Sequence, residues 1–280
     1  VNLSKFKFSL SRDGVIGFFN VLVGKFGFKF RFHTALDKRK IWLVDHLFSI
    51  SSGKVISGLF RGMKLVKKSN WDKKIYKFNT DLSSKIAGCY EQEVQDKIAE
   101  FQKKNKKKYF VNFGAGEGYF ALGVLHNGLF EKSLAFEISN SSRDIMIENS
   151  KLNNFQDRLL IKHNADKNFL KDLDSNFKEI NDIFLLADIE GEEFNIFNDE
   201  NLQAIQNCNL IIEFHKLHDN KKNQEFMDKI KKYFNVEILT TSSRDFSKIS
   251  LLTNLNDDDR WLIASENRPY RMSWLACSPK

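Results

Sequence analysis

From residue 109 to the C-terminus the sequence alternates apolar runs of strand length with stretches of helical pattern, and this alternation constrains the fold more than any other feature. The runs are YFVNF (109–113), SLAFEI (133–138), RLLIKH (158–163), DIFLLAD (182–188), NLIIEF (209–214), NVEILT (235–240) and MSWLAC (272–277). Strands this uniformly apolar bury both faces, which is the signature of a parallel sheet covered by helices on each side. GYFALGVLHNG follows the first run. SSRDIMIENSKLN (141–153) follows the second, with Asn140 or Ser141 as its N-cap. EFNIFNDENLQAIQN leads into the fifth. NQEFMDKIKKYF leads into the sixth and sets Phe226, Ile230 and Phe234 at i, i+4 and i+8, one apolar face. The last two runs are separated by a long polar loop, 241–271. The expected architecture is therefore α/β: a doubly wound, seven-stranded, mostly parallel sheet with five parallel strands and an irregular final pair.

Ahead of this lies GCYEQEVQDKIAEFQKK (88–104), which reads as a helix with Val94, Ile98 and Phe101 on one face. KKNKKK (103–108) reads as a solvated turn. Residues 1–87 are rich in Gly and Phe with few clear periods and predict short helices and a hairpin around SGKVISGLFRGMKL. The expected organisation is a basic N-terminal extension or cap at 1–87 and one domain at 88–280.

Charge divides the chain in a similar place. Residues 1–108 hold 24 Lys and Arg against 9 Asp and Glu, a net +15, whereas residues 109–280 hold 20 against 27, a net −7. The basic part could meet an anionic membrane or nucleic acid, but its lysines form no helical stripe with interleaved aromatics, so nucleic acid is disfavoured. No apolar run approaches the roughly 20 residues that span a bilayer. GVIGFFNVLVG (14–24) is too short, and the N-terminus lacks the pattern of a secretory signal, so a cytoplasmic location is expected. Cys89, Cys208 and Cys277 are odd in number and widely spaced. They fit neither a disulfide framework nor a zinc motif and read as buried thiols.

In YFVNFGAGEGYF (109–120) three glycines, Gly114, Gly116 and Gly118, alternate directly after an apolar strand. Such a bend opening a helix aims free N–H groups at a ligand, and glycine lets that ligand touch the backbone. The dinucleotide pattern G-x-G-x-x-G/A is missed because Tyr119 stands at the last small position, and no G-K-[ST] follows. A pyrophosphate cradle and a P-loop are thereby disfavoured.

These features resemble the class I S-adenosylmethionine-dependent methyltransferases, whose first motif is an acid followed by x-G-x-G-x-G. The resemblance is closer to the FkbM family: NFGAGEGYFAL, LAFEIS, ENSKLNN, ADIEGEEF and IIEFH are similar to its spaced motifs in the same order, and GCYEQEV to the segment that opens its domain. It covers about residues 88–215, more loosely to 280. It implies a Rossmann-like fold, S-adenosyl-L-methionine as cofactor, and O-methylation of a sugar, glycan or secondary-metabolite hydroxyl. The family has an acid where this chain has Asn112.

The expected cofactor-binding residues are Asn112, Gly114, Ala115, Gly116, Gly118, Glu137, Asp166 and Asp188. Glu137 ends the second strand, where two acceptor oxygens can take both ribose hydroxyls. Asp166 either accepts from the adenine amino group or caps a helix, with Asn164 as the alternative. Asp188 closes an apolar strand at the ligand crevice, and Gly191 lets the chain turn past Glu190. Glu213 and His215 share a strand face. His215, Asp188 and Glu190 are the expected catalytic residues, with His215 as general base on an unperturbed pKa near 6.5. Asp188, Glu190, Glu213 and His215 could also hold a divalent ion, but no metal is predicted.

Two other readings compete on the same fold. One is an RNA or protein methyltransferase that uses the basic region as a binding arm. The other is a non-catalytic scaffold at a membrane, anchored through residues 14–32. A nicotinamide oxidoreductase is disfavoured by Tyr119.

Overall fold

The computed structural model describes residues 3–25, 32–68, 81–215, 220–246, 249–266, 268 and 271–280. The chain begins with four helices: α1 (Leu3–Lys25), α2 (Ala35–Ser51), α3 (Leu82–Ala87) and α4 (Gln92–Lys104). The strands and helices then alternate as β1 (Tyr109–Phe113), α5 (Tyr119–His126), β2 (Lys132–Phe136), α6 (Asn140–Asn153), β3 (Leu159–Lys162), α7 (Phe169–Asn176) and β4 (Ile183–Ala187). They finish as α8 (Glu193–Ile196), α9 (Asp199–Ala204), β5 (Asn209–Glu213), α10 (Asn220–Tyr233), β6 (Phe234–Thr240), α11 (Asp257–Ala264) and β7 (Ser273–Pro279).

All seven expected strands are present, in a single sheet of order β3-β2-β1-β4-β5-β7-β6. β1 to β5 are parallel, with Phe113 level with both Phe136 and Ala187. The final pair is antiparallel: β7 inserts between β5 and β6, setting Trp274 against Glu213 and Leu239. Every residue of β4 and β5 is buried, whereas the edge strands β3 and β6 are partly exposed. Successive residues of β1 feed opposite layers. Phe110 joins a cluster with Phe120, Phe184 and Trp274, and Val111 and Phe113 join one with Phe136, Phe169 and Phe197. The abundant Phe of this sequence thus fills both layers.

The helices follow local signals with shifts of a few residues. α6 is capped by Ser139, whose hydroxyl accepts from Ser142 N at 3.3 Å, rather than by Asn140 or Ser141. The predicted helix 88–104 starts only at Gln92, because Gly88 takes φ 87° and ends α3 instead. The stretch before β5 splits into α8 and α9, with Asn198 capping the second. Phe226 and Ile230 pack inward from α10 as predicted, but Phe234 opens β6. The loop 241–271 contains α11, which the sequence reading left out.

The N-terminal part departs most from expectation. α1 and α2 are long rather than short. α2 opens with a capping box in which Thr34 and Asp37 bond each other's backbone N–H. α1 is bent at Gly14 and leaves Leu10, Val15, Ile16, Phe18 and Phe19 exposed. Of the proposed anchor 14–32, residues 26–31 lie outside the described residues. Among the described residues no helix is long and apolar enough to cross a membrane. Cys89, Cys208 and Cys277 are free and buried.

The predicted hairpin forms, with Val55 N donating to Met63 O at 2.8 Å and Gly62 N to Val55 O at 2.8 Å. It packs into the sheet layer rather than standing apart. Phe60 is fully buried, edge-on to Tyr119 and Phe120, and lies over Gly123, where a Cβ would come within 2.4 Å of its ring. Truncating a buried ring costs about 3–5 kcal/mol. Phe60→Ala is expected to lose that much stability in urea denaturation. A loss under about 1 kcal/mol would show that the hairpin is not part of the cooperative core.

Candidate functional site

The three glycines bend the chain out of β1 with φ values of 74°, 53° and 85°, but they do different work. A Cβ on Gly114 would lie 1.7 Å from the carbonyl oxygen of Asp188, and one on Gly118 would lie 2.6 Å from the Met146 side chain. Those two positions need glycine for packing. A Cβ on Gly116 would meet nothing within 4 Å, so this is the residue that leaves the backbone open to a ligand. Tyr119 opens α5 directly behind the bend, its hydroxyl donating to Lys85 O at 3.3 Å.

Glu137, just beyond β2, turns toward this bend. Its Oε2 accepts from Gly116 N at 2.8 Å and its Oε1 from Ser139 N at 2.7 Å. Each oxygen keeps a lone pair for a further donor. Above the bend runs a cleft of about 760 Å³, lined among others by Asn112, Ala115, Gly116, Glu137, Asn164 and Asp188. That volume suits an adenosyl-sized ligand with a small acceptor. Asn112 is buried, and its Nδ2 makes only long bonds, to Phe113 O at 3.4 Å and Leu186 O at 3.5 Å. Asp166 is not a lining residue. Its Oδ1 accepts from Asn168 N at 2.6 Å, closing its own turn, while Asn164 and Ala165 face the cleft.

The far end of the cleft is acidic. Asp188 follows β4. Glu190 sits beside it at φ 55°, a left-handed conformation that costs a non-glycine residue free energy and recurs at functional sites. His215 follows β5 with its Nδ1 3.1 Å from Glu193 Oε1. Its Nε2 lies 3.7 Å from Asp188, 3.6 Å from Glu190 and 3.8 Å from Glu213. Arg268, out of the loop before β7, donates to Glu213 Oε1 at 2.9 Å, to Glu266 Oε2 at 2.8 Å and to Glu91.

A family model described as the methyltransferase FkbM domain matches residues 60–247, more than half of the sequence. The chain belongs to the FkbM methyltransferase family. It is an S-adenosylmethionine-dependent methyltransferase of the class I, Rossmann-like α/β fold. No curated protein matches it as a relative. Among solved structures it is similar to an O-methyltransferase from Bacillus cereus in complex with SAH (10% identity, 85% of this chain and 90% of that one, TM-score 0.44). It is also similar to a precorrin-6y C5,15-methyltransferase from Geobacter metallireducens GS-15 (10% identity, 68% and 89%, TM-score 0.43). A third is a ribosomal protein L11 methylase from Lactobacillus delbrueckii subsp. bulgaricus (17% identity, 68% and 79%, TM-score 0.40). All three identities are low, and the assignment rests on the family match.

The electrostatics of this methyltransferase revise one sequence-based role. Burial would lower the pKa of His215, but the hydrogen bond to Glu193 and the charges of Asp188 and Glu213 outweigh it and raise the imidazole to about 9. This shift favours the protonated imidazole at neutral pH, so the unperturbed value near 6.5 behind the general-base expectation does not apply here. Burial, together with neighbouring negative charge, pushes both Asp188 and Glu213 well above the usual carboxylate range.

Two supporting residues escaped the sequence reading. Burial works against the charge of Lys85, yet Asp81 and Glu117 hold its ammonium above the usual range, at 2.6 and 3.2 Å. The carboxylate of Glu117, set in the glycine bend, is thus matched by Lys85 rather than free to replace the acid missing at Asn112. Asn149 of α6 donates to Glu117 O at 3.1 Å and accepts from Val66 N at 2.8 Å, tying the bend to the hairpin. Only the ENSKLNN motif marked that position.

The glycines give a direct test. Gly114→Ala drives a methyl into the Asp188 carbonyl and is expected to cost about 2–4 kcal/mol in urea denaturation. Gly116→Ala is expected to cost about 1 kcal/mol and instead to weaken S-adenosylmethionine binding measured by calorimetry. Equal stability losses in the two variants would contradict this division of labour.

Proposed function

We propose that this methyltransferase transfers its methyl group to the hydroxyl of a sugar, glycan or secondary metabolite. The observation that carries the reading is Glu137 turned onto Gly116, a carboxylate from β2 at the one open glycine of the β1 bend. Bound S-adenosylmethionine supplies an activated methyl on a sulfonium whose sulfur departs with the C–S electron pair as a neutral thioether. The proposed cofactor residues are Asn112, Gly114, Ala115, Gly116, Gly118 and Glu137, with Asn164 beside the adenine in place of Asp166. The ribose hydroxyls donate to the remaining lone pairs of Glu137.

On the acceptor side the chain has two tasks, alignment and proton uptake. Asp188 and Glu190 both line the cleft. Asp188 orients the acceptor. Glu190, with its side chain 65% exposed, takes the proton as the O–H bond breaks and the oxygen bonds the methyl carbon. The acidic mouth supports a neutral acceptor: Glu91, Asp188, Glu190 and Glu192 repel a phosphate backbone. Residues 1–87 are proposed as a basic cap on the domain at 88–280, a reading supported by Lys85 in the cleft wall and by the Asn149 link to the hairpin.

Glu137→Ala removes two charge-assisted bonds and the ribose contact and is expected to weaken S-adenosylmethionine binding about 10–100-fold. Incubation with methyl-labelled cofactor and separate pools of hydroxylated glycans, RNA and protein is expected to label the glycans. Label found only in RNA or protein would overturn the hydroxyl reading.

A further inference from the structure

We propose that Asp188, Glu213 and His215 form a binding site for one divalent cation at the acceptor end of the cleft. Their ligand atoms all lie within 4.8 Å of one another. A cation about 2.1 Å from each of its ligands holds neighbouring donors roughly 3.0–3.5 Å apart. His215 Nε2 lies 3.7 Å from Asp188 Oδ1 and 3.8 Å from Glu213 Oε1, the oxygen that Arg268 holds, so a cation between them draws on the same carboxylate whose second oxygen has no donor.

Three further observations point to a cation rather than to a cluster of acids alone. The first is an orphaned acceptor. Glu213 is 2% exposed, its Oε1 is held by Arg268, and its Oε2 is buried with no N–H or hydroxyl donor among the described residues, leaving only a carboxyl contact with Asp188, itself one of the proposed ligands. An unsatisfied buried carboxylate oxygen costs free energy that a metal bond removes. The second is the tautomer. Glu193 is buried, accepts from Ile189 N at 2.9 Å and Gly191 N at 2.8 Å, and presents Oε1 to His215 Nδ1. A carboxylate on one imidazole nitrogen fixes the ring and leaves the other free to coordinate, the arrangement found behind metal-bound histidines. Here the other nitrogen is Nε2, which faces the carboxylates and gives up its proton when it coordinates a cation. The third is charge. Among the described residues, seven carboxylates (Glu91, Glu93, Asp188, Glu190, Glu193, Glu213 and Glu266) are linked by ion pairs to three cationic side chains, Arg244, Arg268 and His215. A divalent cation here would replace the protons that this crowding of carboxylates otherwise retains.

Two carboxylate oxygens and one imidazole suit Mn²⁺ and its neighbours better than a thiophilic ion. Resting on the O-methyl transfer reading, the cation would polarise the acceptor hydroxyl beside Asp188 and ease loss of its proton to Glu190. Glu193 is a positioning residue in this scheme, acting through His215.

Full-length protein stripped with chelator is titrated with Mn²⁺ and followed by electron paramagnetic resonance, with S-adenosylmethionine binding measured separately by calorimetry. The expected result is one Mn²⁺ per chain with nitrogen modulation from an imidazole. His215→Gln is expected to lose that modulation. Glu213→Gln is expected to weaken uptake at least about tenfold while still binding the cofactor. Glu193→Gln is expected to weaken uptake about 10–100-fold and to keep the modulation. Cofactor binding without Mn²⁺ uptake, or unchanged uptake in both Glu213→Gln and His215→Gln, overturns the metal site and leaves the methyltransferase reading standing. Mn²⁺ uptake without cofactor binding does the reverse. If Glu213→Gln fails to bind cofactor through misfolding, His215→Gln alone decides.

Discussion

The carbonyl of Asp188 passes so close to Gly114 that a single methyl group cannot fit between them, and the rest of the site depends on this approach. It lets the C-terminal ends of β1 and β4 meet as neighbours in the sheet, with Asp188 N donating to Phe113 O at 3.0 Å. The β1 chain then leaves toward β2, carrying Gly116 to Glu137, while the β4 chain leaves toward β5, carrying Glu190 and Glu193 to His215. Two ends of one cleft, the glycine bend with Glu137 and the acidic end with His215, diverge from a contact that requires a missing side chain. This is the crevice at the carboxyl ends of a doubly wound sheet, where strand order reverses.

The two ends use opposite electrostatic strategies. At the glycine bend each carboxylate has a local partner: Glu137 is held by backbone N–H groups, and Lys85 is shared between Asp81 and Glu117. Fixed dipoles of this kind orient a ligand with little reorganisation. At the acidic end carboxylates outnumber cations, and the fold tolerates the imbalance because Arg268 reaches three of them at once. Burial and neighbouring negative charge raise Asp188 and Glu213, whereas His215 rises against its burial because Glu193, Asp188 and Glu213 favour its cationic form.

Much of the scaffold, and the placing of Glu137 at the glycine bend, was legible before any coordinates. The seven strands fall within a residue or two of their apolar runs, because a strand buried on both faces must be apolar throughout. The glycine bend and Glu137 were legible for a related reason: both sit at strand ends, and the strands fix where those ends lie. The N-terminal helices were less visible, since α1 is apolar around much of its circumference and α2 announces itself mainly through Thr34 and Asp37. Asp166 looked like a ligand residue only because a strand-end acid and a turn-closing acid have the same sequence signature.

The sequence by itself determined the sheet, its covering helices, the open glycine and the carboxylate beside it, because periodicity and strand-end position are properties of neighbouring residues. Tertiary structure decided that β7 runs back between β5 and β6, that Arg268 bridges Glu91, Glu213 and Glu266, that Lys85 neutralises Glu117, and that His215 is held as a cation. Most of these join residues between about 20 and 180 positions apart, and electrostatic energy depends on separation in space and on burial, neither of which distance along the chain records.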